Sequence, residues 1–402
     1  MRPFEGILVL DVTSVLAGPF TSYQLALLGA NVIKIEPPGR GESTRWRTES
    51  DASLGKAGMS LSYLTQSSNK RSLTLDLNKP AAREVFMKLA ADVDVIVENL
   101  RTGSMAKRCI GYEKVKAMNS GVVWCAITGY GQTGPKKRHA AYDSVIQAIS
   151  GMMSVTGTDD SGPLKAGAAV VDYATGLAGA FAIASALFQR ERTGNGQYID
   201  VPMLDSAMIL MASTITSYLN TGKVPGAHGN DAFSRTPAST TFNTADGLLA
   251  IAINEEHQYR NLLTQLGLEA LLTDPRFADP ALRRENRQPM SEVLQLALMK
   301  RSASEWETLL NEVGVPAARV RNVAEIMSEE QVAANGMFHR FTKTETGLDR
   351  ELSVPLTPFR FAAGGAHAHT APRRVGADTD AVLSSLGYTA ADIEQMRAAG
   401  AV

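Results

Sequence analysis

The sequence predicts an α/β chain in which a doubly wound, mostly parallel sheet forms a large domain and a smaller α+β domain follows it. Three observations carry this. Short β-branched runs alternate with helical stretches through the first third of the chain, a long Ala-rich helix comes next, and beyond Tyr218 the texture turns glycine-rich and polar. ILVLD from Ile7, NVIKIE from Asn31, SLTLDL from Ser72, DVIVEN from Asp94 and VVWCAI from Val122 read as strands, and their apolar character is that of strands covered on both faces. Between them helices are expected near Phe20 to Leu28 and Pro80 to Ala91. Gly29 suits the left-handed position that ends the first, and Asn78 with Pro80 suits the start of the second.

The Ala-rich helix is expected to run from Tyr173 to about Arg192, close at Thr193 and Gly194, and lie almost wholly buried. YIDVPM from Tyr198 reads as a further strand. The stretch Ala166 to Phe188 has about the length of a bilayer span. It is mostly Ala and Gly, carries Asp172, and places Gly176 and Gly179 where close helix packing uses them, so a buried helix is expected and no membrane association. TGKVPGAHGND (Thr221 to Asp231) reads as a linker. After it come a strand GLLAIAI from Gly247, a helix near Tyr259 to Leu266, and a helix opened by the Ser302–Glu305 capping box and stopped before Pro316. Arg340 to Ala371 reads as loop, and a last helix is capped by Thr389 and Asp392.

Composition narrows the function. The chain has 402 residues, 44% hydrophobic and 20% charged, which is close to the globular average. Lys and Arg number 40 against 41 Asp and Glu, so no overall positive field recommends it to nucleic acid or anionic lipid. Any anionic ligand must be met by local clusters. Cys109 and Cys125 make no disulfide framework, and the opening MRPFEG has no apolar core of the signal-peptide kind, so a cytoplasmic setting is expected.

Several chemistries lack their residues. ILVLD is followed by VTSVLAGP rather than a GxGxxG turn, and neither GxxxxGK[ST] nor GxSxG occurs. Of the six histidines only His367 and His369 lie close in sequence, so no metal site is expected. What remains is a set of basic clusters near predicted strand ends: Lys70 with Arg71, Arg101, Lys107 with Arg108, and Lys136, Lys137 and Arg138. Converging, they would suit a polyphosphate through charge-assisted hydrogen bonds; singly, they read as solvated surface. Asp172, at the mouth of the Ala-rich helix, has two readings. One is a capping carboxylate for the helix amides, and the other is a nucleophile, which would need a dry pocket.

Seven motifs in order carry a resemblance: LDVTSVLAGPF (Leu10 to Phe20), LLGANVIKIEPPGRGESTR (Leu27 to Arg45), NKRSLTLDL (Asn69 to Leu77), DVIVENLRTGSM (Asp94 to Met105), GYGQTGP (Gly129 to Pro135), GAAVVDYATG (Gly167 to Gly176) and RTGNGQYIDVPMLD (Arg192 to Asp205). Together they resemble the class III CoA-transferases, the formyl-CoA and carnitine CoA-transferase (CaiB/BaiF type) family. The resemblance implies a Rossmann-like large domain and an interlocked, ring-like homodimer. It implies coenzyme A and acyl-CoA as substrates with small carboxylic acids, and no permanently bound cofactor. Domain boundaries are then expected as residues 1–202 for the first part of the large domain, 203–231 as linker, 232–339 as small domain, 340–371 as linker, and 372–402 returning to the large domain.

By the same resemblance Asp172 is the nucleophile. Arg71, Arg101, Arg108 and Lys137 are candidates for the CoA phosphates and adenine, and Leu16 and Ala17 are further candidates for binding CoA. The related α-methylacyl-CoA racemases use a histidine where this chain has Tyr142, within AAYDSV, which ranks racemization below transfer and makes Tyr142 a candidate site residue. Formyl-CoA transferase has Gln at the position of Leu16 and a glycine-rich loop where this chain has NEEHQ (Asn254 to Gln258), so formyl and oxalate specificity is not implied. Glu255, Glu256 and His257 are either contributors to the acceptor site or a charged surface stretch.

Overall fold

The computed structural model describes residues 1–232 and 234–402. The first unit opens with β1 (Leu8–Val12), α1 (Ala17–Leu27), β2 (Asn31–Glu36), β3 (Lys70–Thr74), α2 (Pro80–Asp92), β4 (Val95–Glu98) and β5 (Val123–Thr128). It continues with α3 (Asp143–Ile149), α4 (Val170–Thr193), β6 (Tyr198–Pro202), α5 (Met203–Leu210) and α6 (Ala212–Thr221). The strands form one parallel sheet in the order β3-β2-β1-β4-β5-β6. Alternate residues feed two cores. Leu10, Ile33, Ile96 and Trp124 face α2, whereas Val9, Val32, Val95 and Cys125 face α1 and α4. The winding reverses between β1 and β4, and the loops leaving those two strands diverge there to open a crevice.

Two divisions of the chain emerge. One comprises Met1–Met153, Lys165–Pro225 and Gly336–Val402; the other comprises Ser154–Leu164 and Gly226–Asn335. The second unit contains β7 (Thr240–Asn243), β8 (Leu248–Ile251), α7 (Glu256–Leu266), α8 (Arg287–Leu298), α9 (Ala303–Glu312) and β9 (Ala317–Arg319). Its antiparallel sheet runs β9-β8-β7, and its helices close on Leu249, Ile251, Leu262, Leu294 and Leu310. The expected capping box forms, with Ser302 and Glu305 each bonding the other's backbone amide. The chain then re-enters the first unit with β10 (Phe338–Phe341), β11 (Leu352–Pro355), α10 (Thr379–Ser385) and α11 (Ala390–Ala398).

Three expectations are corrected by packing. Residues 203–221 are helical rather than linker, because the apolar run after β6 buries Met203 and Ala207. Residues 340–371 are not free loop either. Phe341, Leu352 and Val354 pack with Tyr23 and Leu27 of α1, Tyr23 Oη donates to the Pro355 carbonyl at 2.6 Å, and His367 N–H donates to the Leu27 carbonyl at 3.0 Å. The Ala-rich helix α4 is buried on one face only. Ile183, Ala186 and Leu187 enter the core, while Phe181 is 76% and Phe188 60% exposed. In length and composition α4 could cross a membrane.

The buried face of α4 is set by its glycines. A Cβ on Gly176 would lie 2.8 Å from Phe20 Cδ1 and 3.0 Å from the Ala17 carbonyl oxygen, and Thr21 Oγ1 donates to the Gly176 carbonyl at 3.0 Å. No side chain fits there without separating α1 from α4. Gly176→Val is therefore expected to lower stability by about 1–3 kcal/mol, read as a lower urea midpoint at unchanged slope.

Candidate active site

The site starts from the turn between β1 and α1. Val15 has φ +72°, a left-handed conformation that a β-branched residue adopts only under constraint. The constraint is visible. Thr13 N–H donates to Asp11 Oδ1 at 2.9 Å, and Lys34 Nζ donates to the Thr13 carbonyl at 2.9 Å. Asn99, from the loop after β4, accepts from Ser14 N–H at 2.9 Å and donates to its carbonyl at 2.8 Å. Val15 N–H donates to Glu42 Oε2 at 3.3 Å, and Gln66 Nε2 donates to the Val15 carbonyl at 2.7 Å.

Beneath the turn lies a buried ionic cluster. Lys70 Nζ is 2.9 Å from Asp11 Oδ2, and Lys34 Nζ is 3.4 Å from Glu42 Oε2. Burial opposes the Asp11 charge, but the two lysines and the hydroxyls of Ser22 and Thr13 outweigh it and hold the carboxyl well below its usual range. The Lys70 ammonium, stripped of water, is pushed down to about 8.

Asp172 lies on the first turn of α4 and does not cap it. The N-cap residue is Ala169, which has no side chain for the task, and the carboxylate that accepts from the first turn is Asp143 of α3. Asp172 is pushed up to about 6, first by burial and then by the neighbouring Asp143 charge; the Ala17 amide, which donates to it, and Arg47 pull the other way. It lines a cavity of about 340 Å³ at the mouth of the crevice. Leu16, Ala17, Arg101, Lys137 and Tyr142 line the same cavity, so six of the eight residues singled out from the sequence meet in one place. A second cavity of about 630 Å³, lined by Arg40, Trp46, Asn78 and Arg108, adjoins the first, since Ser14 and Leu100 belong to both walls.

Arg71 is placed otherwise. It lies within β3, not in a loop, and its half-buried guanidinium is near Asp378, away from both cavities; its neighbour Lys70 is consumed by Asp11. The NEEHQ stretch is also occupied within its own unit. Glu255 caps α7, and Glu256 pairs with Arg283 at 2.7 Å. Sequence reasoning missed Asp143, Asn99, Glu42, Gln66 and Arg47. Asp143 and Asn99 fall inside stretches already singled out, AAYDSV and DVIVENLRTGSM, where a polar residue beside a strand or helix end was the available signal.

The comparisons with known proteins agree with this architecture. A family profile described as CoA-transferase family III matches residues 4–379. The chain is 33% identical over 409 residues to a succinyl-CoA:glutarate CoA-transferase of Mus musculus, covering 100% of this chain and 91% of that protein. It is 35% identical over 336 residues to an acetyl-CoA:oxalate CoA-transferase of Acetobacter aceti, covering 83% and 85% respectively. A crystal structure of a CaiB/BaiF family protein from Brucella suis matches with a TM-score of 0.83 at 32% identity, covering 96% of this chain and 99% of that one. The family match and the relatives make this a transferase of the CoA-transferase class, built on a parallel sheet with a carboxylate-bearing crevice at its switch point. The chain belongs to CoA-transferase family III.

The raised Asp172 carboxyl has a thermodynamic consequence. Its folded value, about 6, exceeds the unfolded value of 3.8, so the native state holds the extra proton between these limits and stability falls as pH rises through that window. Above it the charged group is a constant cost of about 2 kcal/mol after allowance for partial exposure. Asp172→Asn is expected to raise stability by that amount at pH 8 and to leave it unchanged below about pH 4, as measured by urea denaturation across pH.

Proposed function

We propose that this protein moves CoA from an acyl-CoA donor to a small mono- or dicarboxylic acid, with Asp172 as the covalent nucleophile. One observation carries the reading: a partly desolvated carboxylate, pushed up to about 6, faces a cavity beside the start of α1, where the N-cap residue Leu16 makes no side-chain bond. An Asp172 oxygen attacks the thioester carbonyl, the C–S bond breaks, and a mixed anhydride and CoA thiolate result. The thiolate attacks the Asp172 carbonyl carbon of the anhydride, releasing the donor acid and leaving an aspartyl-CoA thioester. The acceptor carboxylate then displaces the thiolate to form a second anhydride. Attack of the thiolate on the acceptor's acyl carbon gives the new acyl-CoA and restores the Asp172 carboxylate. Each tetrahedral step develops an oxyanion, which needs fixed N–H donors beside the reacting carbonyl, and the start of α1 lies at that place in the cavity wall. Anhydrides hydrolyse, so the half-enclosed cavity must stay dry while they exist.

The two adjoining cavities fit a ligand with a reactive tip and an anionic tail. Arg101 and Lys137 rim the reacting end, and Arg108 with Arg40 offers charge at the far end. The relatives named for glutarate and oxalate transfer support acceptors of that size. Incubation with succinyl-CoA followed by hydroxylamine or borohydride should modify Asp172, and Asp172→Ala should lose CoA exchange between acids by at least about a thousandfold while still binding CoA. Full exchange with an unmodified Asp172 would remove the covalent route.

The exposed apolar faces of α4, α5 and α6 belong to the same proposal. Phe181, Phe188, Ile209 and Leu219 are each at least 60% exposed, more apolar surface than a monomer ordinarily leaves to water. A second copy of the chain, interlocked as in the family resemblance, is the occupant we assign. Light scattering should give a dimer, and Phe181→Glu combined with Ile209→Glu should give monomer.

A further inference from the structure

Helix α4 is the longest among the described residues, 24 residues; its first amide, Val170 N–H, donates to the Ala168 carbonyl at 2.9 Å, but its N-cap side chain satisfies none of those that follow. Ala169 at the N-cap position makes no side-chain bond. The missing acceptor comes from another helix. Asp143 Oδ2, on the first turn of α3, accepts from Val171 N–H at 2.8 Å and from Asp172 N–H at 3.1 Å. Its other oxygen accepts from Gln147 Nε2 at 2.5 Å, and Gln147 Oε1 in turn accepts from Ala166 N–H at 2.8 Å. Gln147 is fully buried. The circuit therefore ties α3 to the start of α4 on both sides of the helix entry, with every hydrogen-bonding atom of the Asp143–Gln147 pair that faces it accounted for.

We propose that Asp143 is the positioning residue of the nucleophile: it supplies from α3 the cap that α4 lacks, fixes the backbone of Asp172, and sets a second negative charge beside the attacking carboxylate. The proposal rests on Asp172 being the nucleophile. The charge has a kinetic use. When Asp172 attacks, its negative charge passes to the thioester oxygen and then to the departing thiolate, and the aspartyl group becomes a neutral acyl group. The repulsion between the two carboxylates exists before attack and is relieved along it, so it raises the ground state relative to the transition state. The neighbouring charge also contributes to holding Asp172 near 6. The other groups near Asp172 are Arg47 from the segment after β2, Arg101 after β4, Lys137, Arg138, His139 and Tyr142 after β5, and Tyr173 on α4 itself. The cations work against the raised value, which leaves Asp143 as the anion among these described residues.

A charge relocation separates capping from electrostatics. Asp143→Asn removes the charge but turns an amide nitrogen toward Gln147 Nε2, donor against donor. Adding Gln147→Glu repairs the circuit: the carboxylate introduced at position 147 accepts from the side-chain amide at position 143 and from Ala166 N–H, and the negative charge is restored one helical turn farther from Asp172. The readout is the single-turnover rate at which succinyl-CoA modifies Asp172, followed across pH in parent, single and double variants, with thermal stability measured alongside.

The expected result is an acid limb near pH 6 in the parent, displaced downward by about one pH unit in both variants. Stability should fall in the single variant and return in the double one, and the plateau rate should drop with little change in the half-saturating concentration. If the double variant regains the parent's pH profile together with its stability, Asp143 is a structural cap only and the proposal falls. It falls equally if neither variant moves the limb while Asp172 is trapped normally. If Asp172 is never modified in the parent, the nucleophile reading is what fails, and the Asp143 role goes with it. Should Asp143→Asn not fold, the double variant alone decides between the first two outcomes.

Discussion

A few buried charges under the first loop of the sheet hold the rest of the site in place. Asp11, at the end of β1, is enclosed with Lys70 and braced by Ser22, while Lys34 reaches past it to the Thr13 carbonyl and Glu42. Such groups gain little over an apolar core of the same volume, since desolvation consumes most of their attraction, but removing one partner strands the others at about 3–5 kcal/mol. Their value here is directional. They fix the carbonyl and amide vectors of residues 13–15, force Val15 into its left-handed conformation, and so aim the start of α1 at the start of α4.

Where the two helix starts meet, the chain tolerates an unfavourable arrangement. Both α1 and α4 lack N-cap side chains of their own, and two carboxylates share the neighbourhood of a single helix terminus. A sequence optimised for folding would place Ser or Asp at residue 169 and something neutral at residue 172. Instead the stabilising acceptor is borrowed from α3, and the carboxylate on α4 remains partly desolvated and available. Local rules are broken at the position where the proposed nucleophile stands.

Much of the frame was legible because its strands are β-branched runs of the right length, each ending in a polar residue or a turn. ILVLD, NVIKIE, DVIVEN and VVWCAI all became strands of the parallel sheet, and Gly194 and Thr389 capped the helices they were read to cap. The misreadings have a common cause. Lys70 and Arg71 looked like a ligand-binding pair because charge in a chain is read as exposed, whereas Lys70 is sunk against a carboxylate from a strand nearly sixty residues away. The outward face of α4 looked buried because Ala and Phe carry no sign of which neighbour will cover them. Among the candidate residues, Leu16, Ala17, Arg101, Tyr142 and Asp172 came together because each sits at or next to the end of an element whose direction the parallel sheet dictates, and Lys137 joins them from the loop between β5 and α3. Asp143 was passed over because AAYDSV drew attention through Tyr142 alone, and the bonds that give Asp143 a role run to residues 171 and 172, far along the chain.

The shared wall between the two cavities has a mechanical implication. Ser14 is pinned through both its backbone atoms to Asn99, while Leu100 continues the same loop. The partition between the chambers is thus stitched across the sheet's point of reversal and cannot slide toward either side alone. A long molecule lying over that seam would be gauged by a fixed spacer, its two ends registered to each other by the protein rather than by its own flexible linker.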